Sequence, residues 1–250
     1  MTSEKQLPDW KAMDTIACTI ISATTSRRLD WDEIFSILET WKKKYLCVND
    51  GKESSVTALA LSSKRNPWVV LVSTILSLRT KDAVTLSASN KLLAKAPNPQ
   101  SLMTLSQSEI EELIYPAGFY RTKAASLKNI ASILIETYEG KVPNTMEALL
   151  ELPGVGRKTA NLVLTEAFNQ DAICVDVHVH RICNRIGFIK TKTPDESEMV
   201  LRDSLPIKHW ETINSLLVLY GQQVCKPVSP LCSLCEIQGL CKKHGVEKSR

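Results

Sequence analysis

The sequence reads as an all-α protein, on three observations. Apolar residues recur at the spacing of one helix face from Trp31 onward, and no stretch shows sustained apolar–polar alternation. Helix start and stop signals (Asn, Ser and Thr ahead of apolar runs, proline at first turns and after ends) punctuate the chain. Only 9 of the 250 residues are glycine, too few for a turn-rich sandwich.

Residues 1–28 show no strong period and read as an N-terminal extension. Trp31, Ile34, Phe35, Leu38, Trp41 and Tyr45 then form one stripe behind Asp30-x-x-Glu33, a capping-box pattern. Residues 46–65 read as a polar connection. Asn66-Pro67 starts a helix through the apolar run Trp68 to Leu78. That run is rich in β-branched residues and by propensity could be a strand; its length and start signal favour a buried helix. A second helix follows Thr80 and ends before Pro97. Ser106-x-x-Glu109 opens a third, stopped by Pro116, and Tyr120 to Tyr138 is a fourth, ended by Gly140. Asn144-x-x-Glu147 opens a short fifth, closed by Pro153, and Arg157 to Phe168 is a sixth. Further helices fit 177–186, 195–204 and 209–220.

With 44% hydrophobic and 23% charged residues, the chain has the composition of a globular protein and lacks that of a disordered one. No run of 18 apolar residues is present, so no membrane span is expected. Glu4, Asp9 and Asp14 precede any apolar stretch, which argues against a secretory signal. A net charge of +4 is compatible with a nucleic-acid partner and equally with an ordinary enzyme.

The string Leu152-Pro153-Gly154-Val155-Gly156-Arg157-Lys158-Thr159-Ala160-Asn161 joins two helices through a hairpin. Its glycines leave the backbone uncovered, and amides there and at the next helix start can face an anion. G-x-G alone fits a plain turn as well; the whole string is far more specific. Lys158 lies in a first helical turn beside Arg157. The helix dipole and the neighbouring cation both disfavour its ammonium form, as a Schiff-base nucleophile requires. A phosphate-binding lysine would fit the same place. Asp176 follows the apolar run Ile173-Cys174-Val175 and fits a helix cap.

Eight cysteines are unevenly spread: Cys225, Cys232, Cys235 and Cys241 stand as C-x6-C-x2-C-x5-C. Four clustered thiols in a chain without an export signal point to a metal site in a reducing compartment. By spacing alone, zinc and a [4Fe–4S] cluster remain equally open. Cys174 and Cys183 read as buried small residues.

The hairpin string, then Val175-Asp176-Val177-His178, then the cysteine string, closely resemble in order and spacing the endonuclease III family of DNA repair glycosylases, within the helix-hairpin-helix superfamily. The resemblance covers roughly residues 60–245. It implies a two-lobed fold: a six-helix barrel over 60–170 with the hairpin, and a discontinuous iron–sulfur lobe from 29–59 and 171–250. It implies a [4Fe–4S] cofactor on Cys225, Cys232, Cys235 and Cys241, whose part is to shape a basic loop. It puts Lys158 at the catalytic lysine and Asp176 at the catalytic aspartate. Gly154, Val155, Gly156, Arg157 and Thr159 would face DNA. Arg79 and Phe119 fall at the positions that fill the hole left by a flipped base, and Asp82 borders the lesion pocket with His178. The commoner family residue at the Arg79 position is Gln, so the reading of the orphaned base is expected to differ.

The implied activity is a bifunctional glycosylase and abasic-site lyase acting on oxidised pyrimidines in duplex DNA. The implied protein is a monomer, intracellular and DNA-associated. A monofunctional adenine glycosylase shares the hairpin, aspartate and cluster but usually lacks the lysine. Its extra C-terminal recognition domain is also not expected here, nine residues remaining after Cys241. A non-catalytic DNA-binding module would make the presence of both Lys158 and Asp176 a coincidence.

Overall fold

The structure, a computed structural model, describes residues 29–49 and 53–250. The extension expected over 1–28 lies outside the described residues. Trp31–Arg250 forms one compact unit, and among the described residues every regular element is helical. No described helix is long and apolar enough to cross a membrane.

In chain order the helices are α1 (Trp31–Val48), α2 (Ser55–Ser62), α3 (Pro67–Ser77), α4 (Asp82–Lys95), α5 (Pro99–Thr104), α6 (Gln107–Ile114), α7 (Tyr120–Tyr138) and α8 (Met146–Leu150). They continue with α9 (Arg157–Phe168), α10 (Val177–Ile186), α11 (Pro194–Ser204) and α12 (Ile213–Gln223), with 3-10 turns at Ile207–His209 and Cys232–Leu234.

The apolar run after Asn66 is a helix. The Asn66 side chain accepts from the amides of Trp68 (3.0 Å) and Val69 (3.3 Å), and Pro67 occupies the first turn. Val70 through Leu76 are buried all round, so α3 is the central rod of the core. The helical path also satisfies Ser73 and Thr74, whose hydroxyls bond back to the Val70 carbonyl. Around α3 pack α2, α4, α7 and α9, and one apolar cluster runs from Ala60 to Ala172. At the other end α12 packs against α1 and α10, where Trp41 meets the buried Tyr220 edge-on at 4.7 Å.

Three expectations need correction. Part of the supposed connection 46–65 is helix α2, whose Val56, Leu59 and Ala60 are buried at helical spacing; the serines around them masked that stripe. The fifth helix is capped by Thr145, which accepts from the Ala148 amide, and not by Asn144. The span read as helix from 209 begins at the end of the 3-10 turn Ile207–His209 and passes through a turn over 210–212, with α12 starting at Ile213. The short α5, capped by Asn98, went unread. The Ser106–Glu109 capping box is present in full.

Candidate active site

Leu152 and Val155 anchor the hairpin in the core, while Gly154 and Gly156 lie exposed. Gly154 takes φ +81°, a conformation open chiefly to glycine. A side chain at Gly156 would meet nothing within 4 Å. Gly156 is also the N-cap of α9, and no side chain claims that helix's first amides. The Val155 amide closes the hairpin by donating to the Leu152 carbonyl at 3.1 Å, and the glycines to either side leave backbone uncovered ahead of a positive helix end. The Val155 and Thr159 side chains are buried, so any contact they make outward is through the main chain.

Asp176 caps α10, and its two oxygens divide the work. Oδ1 accepts from the amides of His178 (2.8 Å) and Val179 (2.9 Å). Oδ2 stands 3.9 Å from Lys158 Nζ. The carboxylate is almost fully buried and rigid, whereas the lysine side chain is 43% exposed and can reach outward.

The electropositive setting expected for Lys158 is corrected here. Arg157 is bound to the buried Glu198, with Nη2–Oε1 2.7 Å and Nε–Oε2 3.3 Å. Glu198 also takes Arg202 at 3.0 Å. The charge beside Lys158 along the chain is thus drawn to a shared carboxylate, and the ion partner of the Lys158 amine is itself a carboxylate.

Lys158 and Asp176 open onto a cleft of about 780 Å³ including its mouth. Its walls also carry Thr57, Arg79, Thr80, Asp82, His178, Asn214 and Gln222, so residues from five separate segments converge. Asp82 opens α4 and is held on both oxygens, by Ser55 Oγ (3.0 Å) and Gln222 Nε2 (3.3 Å). His178 is half-buried; burial, and then the Arg181 guanidinium, hold it below the ordinary histidine range against the pull of Asp176. Arg181 Nη2 lies 3.1 Å from His178 Nδ1 and can only donate, so Nδ1 accepts and the ring proton sits on Nε2. Sequence reasoning missed Ser55, Asn214 and Gln222; polar residues that meet across such separations leave no local signal.

Arg79 and Phe119, far apart in sequence, meet: the guanidinium carbon lies 5.4 Å from the ring centroid. Phe119 is 62% exposed, so it is not a core residue.

Cys225, Cys232, Cys235 and Cys241 line one apolar void together with Ile182, Tyr220 and Ile237. All four are free thiols. Arg185 donates to the Lys226 (2.7 Å) and Pro227 (2.8 Å) carbonyls and to Cys225 Sγ (3.4 Å). Tyr220 Oη donates toward Cys235 Sγ at 3.1 Å. Cys174 and Cys183 are buried as expected, which raises both thiols.

Residues 72–206 match the HhH-GPD superfamily of base excision DNA repair proteins. The chain is 46% identical over 177 residues to endonuclease III of Thermotoga maritima, covering 71% of this chain and 83% of that one. It is 39% identical over 221 residues to the chloroplastic endonuclease III homolog 2 of Arabidopsis thaliana, covering 85% of this chain and 57% of that longer relative. Among solved structures it is similar to a trapped endonuclease III–DNA covalent intermediate, with TM-score 0.68 and 35% identity over 71% of this chain and 84% of that one. The fold, the hairpin and these likenesses agree: the chain belongs to the HhH-GPD superfamily of base excision DNA repair enzymes and, within it, to the endonuclease III family of DNA glycosylases and abasic-site lyases.

Proposed function

We propose that this chain is a bifunctional glycosylase and abasic-site lyase that removes oxidised pyrimidines from duplex DNA. The observation that carries the reading is the pair Lys158 Nζ and Asp176 Oδ2, 3.9 Å apart at one cleft wall. A reaching amine beside a rigid, buried carboxylate suits covalent catalysis at a sugar carbon.

The lesion nucleotide rotates out of the stack into the cleft, bordered by Asp82 and His178. Lys158, as the free amine, attacks C1′. The C1′–N bond breaks and its electron pair leaves with the base, which takes up a proton. Asp176 stabilises the positive charge that develops on the sugar and is within reach to accept the proton that Nζ gives up. Opening of the sugar ring yields the Schiff base. Loss of a C2′ proton then expels the 3′ phosphate, and hydrolysis of the imine frees Lys158.

Duplex DNA would lie across the hairpin at Gly154, Val155, Gly156, Arg157 and Thr159, offered the free amides there other than that of Val155, with Arg79 and Phe119 toward the vacated stack. In this reading 60–170 forms one wall of the groove, and 29–59 with 171–250 the other. The protein acts as a DNA-associated monomer.

The four cysteines fit a [4Fe–4S] cluster. All four cysteines line one shared void, and a set of four thiols is the donor set such a cluster takes. Burial pushes the Cys235 and Cys241 thiols up, so a bound metal has to supply the charge that makes them thiolates. When bound, the cluster supplies a rigid anchor for the loop. Arg181 and Arg185 hold the start of that loop through main-chain oxygens of residues 225–227.

The test is borohydride reduction on duplex DNA carrying an abasic site. Wild-type protein should trap covalently and Lys158→Ala should not; wild-type protein that never traps overturns the lyase. Base release from oxidised-thymine duplex against an adenine–guanine mismatch tests the substrate.

A further inference from the structure

Lys123 is a lysine on α7 with only 6% of its surface exposed. No carboxylate pairs with it among the described residues. Its ammonium instead donates to the carbonyls of Leu76 (2.8 Å) and Leu78 (2.6 Å) and to Thr80 Oγ1 (2.8 Å). Three donors meet three acceptors, and two of these are carbonyls at the C-terminal end of α3, where the helix dipole favours a cation. Burial pushes its pKa down to about 8, so at neutral pH the third donor is kept.

Stability alone gives little reason for a buried cation at this place, since an apolar side chain of similar length avoids the desolvation cost. What the ammonium holds is the turn 78–80. Arg79, in that turn, has φ +52°, a left-handed conformation that a non-glycine residue rarely adopts. Such a residue persists only where its surroundings over-determine it. The neighbouring turn is tied to the same point. Gly118 donates its N–H to Thr80 Oγ1 at 3.1 Å, and a Cβ at Gly118 would sit on the Arg79 carbonyl oxygen. Phe119, next along, is also left-handed at φ +56°. Two strained, exposed residues on different turns are thereby brought together at one edge of the cleft, and a single buried ammonium ties the turns.

We infer that Lys123 is a positioning residue for base extrusion: it caps α3 and locks the turn that presents Arg79 against Phe119. This rests on the glycosylase reading above and adds to it a part that works through Arg79 and touches no DNA.

The test uses the full chain and Lys123→Met. Gly118 amide exchange should quicken while the core amides of α3 and α9 stay protected. Base release from a lesion duplex should fall by about 10–100-fold, the scale of a misplaced positioning group. Borohydride trapping at a preformed abasic site, which needs less unstacking, should stay within about threefold of wild type. Arg79→Ala should lower base release at least as far, and the double variant should be no worse than Arg79→Ala. Parallel loss of both activities, multiplicative effects in the double variant, or unchanged Gly118 exchange would overturn the inference. Should Lys123→Met fail to fold, Thr80→Val removes one of the three acceptors, and Gly118 exchange should quicken and base release fall in the same way. Wild-type protein that neither releases base nor traps would sink the proposed function instead, while Gly118 exchange still decides the role of Lys123.

Discussion

Asp176 offers the most direct separation of folding from chemistry, because each of its oxygens serves one of them. Asp176→Ala removes the Oδ1 acceptor of two amide bonds, at 2.8 and 2.9 Å, at the start of α10. Losing such a cap costs about 1–2 kcal/mol. For a chain of this size that is a fall of about 2–8 °C in the thermal midpoint. Asp176→Asn keeps an oxygen acceptor of equal capping rank, so its midpoint should stay within about 2 °C of wild type. The same Asn variant removes the negative charge 3.9 Å from Lys158 Nζ. Loss of one such electrostatic group should slow single-turnover base release by about 10²–10³-fold. Thermal unfolding by circular dichroism and single-turnover kinetics on one duplex measure both effects. An Asn variant as unstable as the Ala variant would refute the capping role of Oδ1. An Asn variant with wild-type rate would refute the electrostatic role of Oδ2.

Gly221 on α12 packs so closely that a Cβ would collide with the His178 ring and approach Arg181 Nη2 at 2.8 Å. Gly221→Ala should cost about 1–3 kcal/mol by overpacking and slow base release more than abasic trapping; unchanged thermal melting would contradict the packing. His178 is held below its ordinary value of 6.5, so between its folded pKa and 6.5 the unfolded chain binds more protons. Its contribution is therefore complete above pH 6.5 and shrinks as pH falls, and the thermal midpoint should drop more steeply below pH 6.5 in wild type than in His178→Gln; parallel slopes would refute this. Protein purified under argon should hold about four iron and four sulfide per chain, most of it lost in Cys235→Ala. One zinc per chain in its place would refute the cluster.

Local signals carried most of the helices and the candidate site. Asn66-Pro67 and Ser106-x-x-Glu109 act within one turn of their helices, so their effect is readable from neighbouring residues. Helix α2 is hidden in the sequence because it is short and bounded by Ser54, Ser55, Ser62 and Ser63, and its buried face of Ser55, Val56, Leu59 and Ala60 is defined only by packing against α3 and α9. Phe119 shows the same limit from the other side: its type suggests a core residue, and its exposure follows from a left-handed turn braced by Gly118.

By itself the sequence determined the all-helical class, the bare hairpin ahead of α9, the capping place of Asp176 and the cysteine string. Each is a property of a few adjacent residues and their backbone preferences. Only the tertiary structure decided what surrounds Lys158: Glu198, 41 positions from Arg157, draws that arginine, and Asp176 becomes the ion partner of the amine. It likewise decided that Lys123, 43 positions from Thr80, braces the turn of Arg79. Charges interact through space, and their distances are set by how helices pack.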